Sequence, residues 1–234
     1  MTNLVERLAT YDPAEPQYIG ALTEDIMQMY HGSHMAYGGA GIFLSIPLVR
    51  QLNAVFRNCY DFKGAGDRMI ARCIYSHTTT KLKWEPGLHQ LDLRGDASGF
   101  YESGRPLPLS LHHWKSWFHA DMVALSKVAA ICGEACLLRR WELSDDWYLI
   151  NGFSVVKYSL PLQDPNSMEQ TWDKSKYKGP DPFEYSLGPL RSKDEDKVSF
   201  RLKEAIAETD RVRQIYVRKQ EKPQVIEVVW NLRH

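Results

Sequence analysis

The chain has no excess of charge of either sign: 29 Lys and Arg are matched by 29 Asp and Glu over 234 residues. Without a global basic field, nothing draws it to nucleic acid or to an acidic membrane surface. It has no run of about 20 apolar residues, and no charged-then-apolar stretch opens it, so neither a membrane span nor a secretory leader is legible. Cysteine is scarce, with only Cys59, Cys73, Cys132 and Cys136. A zinc site prefers two C-x-x-C-like pairs, whereas here one pair is separated by thirteen residues and the other by three. Two local disulfides fit that spacing better and would imply an oxidising compartment, and four reduced, buried thiols are the alternative. Internal repeats are lacking too.

What is present suits a folded α/β protein. With 44% hydrophobic and 12% aromatic residues, the chain can bury a substantial core in one large domain or one and a half smaller ones. "LTEDIMQMYHG", residues 22–32, reads as a short helix with a Thr and acids before it and a glycine after it. "SIPLVRQLNAVF" reads as a second, with Ser45 as cap, Pro47 in the first turn and Leu48, Leu52 and Val55 at helical spacing. A third begins near Gly66 and puts Met69, Ile70 and Cys73 on one face. Residues 77–112 break into short extended pieces, and "ACLLRRWEL", "WYLINGFSVVKYSL", "RQIYVRK" and "QVIEVVWNL" read as strands, the last two as a hairpin. Residues 163–203 are polar and charged and read as a surface excursion.

"AYGGAGIFLS", residues 36–45, clusters Gly38, Gly39 and Gly41 around Ala40 just before an apolar run. Glycines permit positive φ and remove Cβ atoms, so a wall of bare backbone becomes possible beside a ligand or a neighbouring strand. A tight turn between packed elements explains the same residues. A phosphate-binding P-loop does not, because the required lysine is missing.

Five segments in order, "QYIGAL", "AYGGAGIFLS", "GAGDRMIARC", "GLHQLDLRGD" and "PLSLHHW", resemble the successive blocks of the Fringe-type β-1,3-glycosyltransferases of glycosyltransferase family 31, most closely their fungal branch. The resemblance covers roughly residues 15–160. It implies a GT-A fold with a mixed central sheet and flanking helices, a UDP-sugar donor, a glycan or glycoprotein acceptor, a Mn²⁺ or Mg²⁺ ion, and inversion at the anomeric carbon. It makes residues 1–160 the C-terminal part of the transferase domain and 161–234 an extension, with a helix and hairpin, packed on it.

Carried over residue by residue, the resemblance makes Asp67 the general base. Many relatives have an acidic pair there, but this chain has Gly66 first. Asp in a helix first turn also serves simply to complement the helix terminus. The metal-binding histidine falls on His112, with His113 the substitute, although adjacent residues of a strand point to opposite sides. Tyr37, Gly38, Gly39, Ala40, Gly41, His89, His113 and Trp114 fall at the substrate, with His89 shaping the donor pocket. Trp117, Tyr101 and Glu102 are further candidates for the cleft. Relatives join cysteines at positions like Cys59 and Cys73, and Cys132–Cys136 would form a second bridge, which points to the Golgi or secretory lumen. The acidic D-x-D triplet of the family would lie ahead of residue 1, so the resemblance implies a chain lacking its N-terminal part and any membrane anchor. Asp194, Glu195 and Asp196 have the spelling but sit in a lysine-bearing, solvated stretch and read as surface. The alternative from another class is a carbohydrate-binding or scaffold protein of the same fold without catalysis. A hydrolase finds little support, since Asp92 and Asp96 flank a turn rather than forming an acid and nucleophile pair.

Overall fold

The computed structural model describes residues 2–32, 34–193 and 197–231. Helix α1 (Thr2–Leu8) leads into strand β1 (Tyr18–Gly20), helix α2 (Ile26–Gly32), strand β2 (Ile42–Leu44) and helices α3 (Ile46–Cys59) and α4 (Gly66–His77). Then come β3 (Leu82–Trp84), β4 (Leu88–His89), α5 (Ser98–Glu102), β5 (Ser110–Leu111) and α6 (Met122–Cys132). The remainder is mostly strand: β6 (Arg140–Glu142), β7 (Trp147–Ile150), β8 (Ser154–Tyr158), β9 (Met168–Glu169), helix α7 (Glu184–Leu187), β10 (Leu190–Arg191), β11 (Lys197–Ala207), β12 (Arg211–Arg218) and β13 (Gln224–Asn231). The α/β expectation is met, with the strands divided among four sheets.

Two compact units interleave along the chain. The first comprises Met1–Arg94, Pro108–Phe118 and Asp173–Gly188, and the second Gly95–Leu107, His119–Trp172 and Pro189–His234.

In the first unit, β1 lies between β2, antiparallel, and β3, parallel, with Tyr18 opposite Leu44 and Leu82. Helices α3 and α4 close over a core that includes Tyr18, Leu48, Leu52 and Ile74. Burying a side chain such as Leu48 or Ile74 stabilises by about 1.5–3 kcal/mol. The Cys59–Cys73 disulfide joins the two helices, and Cys132–Cys136 closes a second, shorter loop in the other unit. Both are the local pairings the spacing suggested. Ser45 does stand at the N-cap of α3 in extended conformation, but its hydroxyl does not cap. It donates to the Glu15 carbonyl and accepts from Gln17 N–H, fixing the helix start to the approach to β1. For α2 the capping carboxylate is Asp25, which accepts from Met27 and Gln28 N–H.

The second unit is built on a six-stranded antiparallel sheet, in the order β13-β12-β11-β8-β7-β6. Period-two alternation buries Val212, Gln214 and Tyr216 on one face of β12. Gln214 is tolerated there because its amide is satisfied by Asn151, Tyr216 and Trp230. The β12–β13 hairpin matches the sequence reading. The sheet runs across residue 160, where the sequence suggested a division, since β8 pairs with β11.

Residues 163–203 are not a surface excursion. Met168, Trp172, Phe183 and Leu187 are buried, and so are the polar residues Glu169, Gln170 and Thr171. Helix α6 had no sequence signal because "MVALSKVAAIC" is apolar nearly all round and lacks the polar stripe that marks an amphipathic helix. Asp121 starts it by accepting from Ala124 N–H.

Candidate active site

The glycine segment after α2 is pinned at four points in the first unit. Gly38 N–H donates to Asp67 Oδ2 at 3.0 Å, and Gly41 N–H donates back to the Gly38 carbonyl at 3.2 Å. Ala40 N–H donates to Gln90 Oε1 at 3.0 Å, while the Ala40 carbonyl accepts from the Ser110 hydroxyl at 2.5 Å. Gly41 has φ of +110°, a conformation that L side chains avoid. Gly39 is required for a different reason: a Cβ there would overlap the imidazole of His112. Adjacent glycines therefore meet Asp67 on one residue and His112 on the next.

Asp67 reaches the wall because it stands in the first turn of α4, whose entry the Cys59–Cys73 bridge fixes. Its Oδ1 accepts from Arg68 N–H, within its own helix, and its Oδ2 crosses to Gly38. His112 follows β5, which pairs with β4. Its Nδ1 is buried and has no hydrogen-bond partner among the described residues. Such an orphan polar atom is costly unless a ligand satisfies it.

Asp92, His112 and His113 offer one ligand atom each, all within 4.8 Å of one another. His113 Nε2 lies 3.4 Å from Asp92 Oδ1. Two residues here take left-handed backbone, Leu91 at φ +51° and His113 at φ +59°. Strained backbone of this kind persists only where surroundings enforce it. Glu24 supplies part of that enforcement, since one oxygen bonds His89 Nδ1 at 2.8 Å and the other accepts from Leu91 N–H at 2.8 Å. Gln90 spans the wall and the cluster, donating to Asp92 Oδ1 at 3.2 Å while accepting from Ala40. The left-handed turn at His113 also answers the objection that neighbouring histidines must diverge: the two rings lie 3.8 Å apart.

Burial pushes the Asp92 carboxyl up to about 6, with Glu24 and Asp25 adding to the rise and Gln90 and Arg94 opposing it. Burial also lowers His113, helped by His112 and Arg94, which favours the neutral imidazole that can act as a ligand. The set of two imidazoles and a carboxylate could hold a divalent metal ion.

The chain belongs to a protein family described as "Protein of unknown function, DUF604". That family's model matches residues 27–229, a span holding Asp67, Asp92, His112 and His113. A search of curated proteins returned no match.

Set against the resemblance, the DUF604 chain brings Asp67, Gly38, Gly39, Ala40, Gly41 and His112 to one wall with His113 beside His112, whereas the His89 ring is engaged with Glu24. Tyr37 is no sugar platform: it is buried, its hydroxyl donates to the Gln28 carbonyl at 2.8 Å, and burial pushes its phenol up to about 12. Trp114 is half-buried beside His113 in sequence. Trp117 is stacked on His113, with ring centroids 3.9 Å apart and planes 6° off parallel. Tyr101 and Glu102 belong to the second unit, where Tyr101 packs on Phe153 and Glu102 is paired with Lys197, Arg201 and Ser154. Asp194, Glu195 and Asp196 lie outside the described residues. Sequence reasoning missed Glu24, Gln90 and Asp92 as a connected set. The signal was "QLDL", polar residues alternating with apolar ones inside the matched block "GLHQLDLRGD".

Two cavities lie elsewhere. One of about 260 Å³ is apolar, lined by α3 and α4 residues such as Leu52, Phe56 and Ile70, and offers no chemistry. One of about 370 Å³ is lined by second-unit residues including Asp96, Tyr101 and Asp121. The orphan His112 nitrogen and the ligand cluster, rather than cavity size, single out the glycine wall. Among the described residues no helix is long and apolar enough to cross a membrane.

Proposed function

We propose that the chain is an inverting, metal-dependent hexosyltransferase of GT-A type, moving a sugar from a UDP-sugar to a hydroxyl of a glycan or glycoprotein in β-1,3 linkage. The DUF604 family is β-1,3-glycosyltransferase-like, and the five ordered blocks are nearest to the Fringe-type enzymes and their fungal branch. The observation that carries the proposal is that Asp67 and His112 meet consecutive glycines of one backbone wall.

In this reading Asp67 takes the acceptor hydroxyl proton as the oxygen attacks the sugar carbon opposite the departing diphosphate. Gly38 N–H orients the carboxylate, and the absent side chains at 38, 39 and 41 let sugar and acceptor approach the main chain. His112, His113 and Asp92 would hold Mn²⁺ or Mg²⁺, which when bound supplies positive charge for the leaving diphosphate. Glu24 and Gln90 hold the loop that presents Asp92. A single displacement with one base inverts the anomeric configuration. The two disulfides support an oxidising site of action, the Golgi or secretory lumen.

Calorimetric titration with UDP in the presence of Mn²⁺ tests the reading. Saturable binding of UDP that requires the metal is expected. Binding of neutral glycans with no response to nucleotide would overturn it in favour of a carbohydrate-binding protein of the same fold.

A further inference from the structure

Arg94 stands two residues beyond Asp92, and its guanidinium carbon lies 4.2 Å from the centre of the Trp117 ring. His113 is stacked on the same ring at 3.9 Å. Two planar groups this close cannot share one face, so Trp117 is sandwiched, with the imidazole on one side and the guanidinium on the other. An exposed arginine ordinarily extends into solvent and samples many rotamers. Here the guanidinium is held over the indole, which restricts it while its N–H donors remain available. Among the described residues no acceptor satisfies those donors.

The backbone beneath it is fixed as well. The Arg94 carbonyl accepts from Asp173 N–H at 2.9 Å, and the Tyr177 hydroxyl donates to the Asp92 carbonyl at 2.8 Å. The segment 173–177 thus braces residues 92–94 from outside the matched blocks, within the same compact unit.

We infer that Arg94 is an anion-binding residue for the diphosphate of the nucleotide and that Trp117 is its positioning residue, holding the guanidinium and the His113 imidazole in register on opposite faces of one ring. The inference deepens the transferase reading and rests on it. A fork with five donors in a plane matches two phosphate oxygens at once, and holding it in place beforehand removes the ordering cost that a free arginine would incur on binding. Asp92 beside it repels an anion, so binding is strong only with the metal in place.

The test uses the full chain with Mn²⁺, UDP and uridine. Mn²⁺ affinity is first measured alone by electron paramagnetic resonance, and UDP and uridine are then titrated calorimetrically with Mn²⁺ present. Arg94→Ala should weaken UDP by about 10- to 100-fold while leaving Mn²⁺ and uridine unchanged. Trp117→Ala should weaken UDP, Trp117→Phe should restore it, and at saturating Mn²⁺, where any loosening of His113 is compensated, Trp117→Ala should weaken UDP no further in the Arg94→Ala background. UDP binding by the unaltered chain that Arg94→Ala leaves intact would overturn this inference alone. No UDP binding by the unaltered chain would overturn the transferase reading and this inference together.

Discussion

A polar cluster in the second unit and one in the first differ in how far their hydrogen bonds are already made. In the second, Glu102 is almost fully enclosed, and each of its oxygens is occupied, by Ser154 and Arg201 on one side and Lys197 on the other. Lys197 in turn pairs with Glu169. In the first, His112 Nδ1 is buried with no partner, His113 and Leu91 sit in strained backbone, and the Arg94 fork has no acceptor among the described residues. A saturated buried network has no valence left for a ligand and serves the fold. An unsaturated one held open by glycines and strain is what a binding site requires. Judged by titratable residues alone the two regions look alike, and the difference lies in which hydrogen bonds are already made.

The sharpest way to break this contrast is Asp67→Asn. Transfer should fall by about 10²- to 10⁴-fold while UDP and Mn²⁺ affinities hold, as measured by product formation and by calorimetry. Unchanged turnover would remove Asp67 from the chemistry and leave it as an ornament of α4.

Glu102→Gln probes the other side. It leaves Lys197 and Arg201 without part of their counter-charge, and denaturant unfolding at pH 7 should show a loss of about 3 kcal/mol. Burial alone would raise the Glu102 carboxyl, but Arg201 and Lys197 outweigh it and hold it below the usual value. A carboxyl depressed in the folded state contributes stability above its unfolded value, and that contribution disappears as pH falls through the folded one. The penalty of Glu102→Gln should therefore shrink below pH of about 4.5. A penalty that is constant with pH would mean that the charge itself contributes nothing.

Cys59→Ser with Cys73→Ser opens the loop that presents Asp67. A cost of about 3 kcal/mol is expected from the chain-entropy model, read as a lowered Tm, along with weaker transfer. Cys132→Ser with Cys136→Ser should lower stability with little effect on metal binding, because that bridge belongs to the unit without the cluster. The smallest effect is expected of Gly39→Ala. The added methyl forces the His112 ring aside, and Mn²⁺ affinity should fall by roughly ten-fold, about 1.4 kcal/mol. Unaltered affinity would show that the ring can move freely and is not held for a metal.

Helices with a polar stripe, α3 and α4, were legible in the sequence to within about three residues, as was the β12–β13 hairpin. α6 was not, because its surface offers no contrast, and Met168, Trp172, Phe183 and Leu187 were hidden because the polar residues around them gave the segment no apolar periodicity. At the site, the glycine wall, Asp67 and His112 could be read from the ordered blocks. Asp92 could not, because its role depends on a left-handed residue before it and on Glu24, some 68 positions away in the chain, closing over that turn. Tyr37 misled for the opposite reason: the resemblance put it at the substrate, yet its hydroxyl finds a helix carbonyl and the ring is buried.

The most direct test of the central claim is pulsed electron paramagnetic resonance of Mn²⁺ bound to the chain. Nitrogen couplings from two imidazoles are expected, with one lost in His112→Ala and the other in His113→Ala. A bound ion without nitrogen coupling, or couplings that survive both substitutions, would contradict the account.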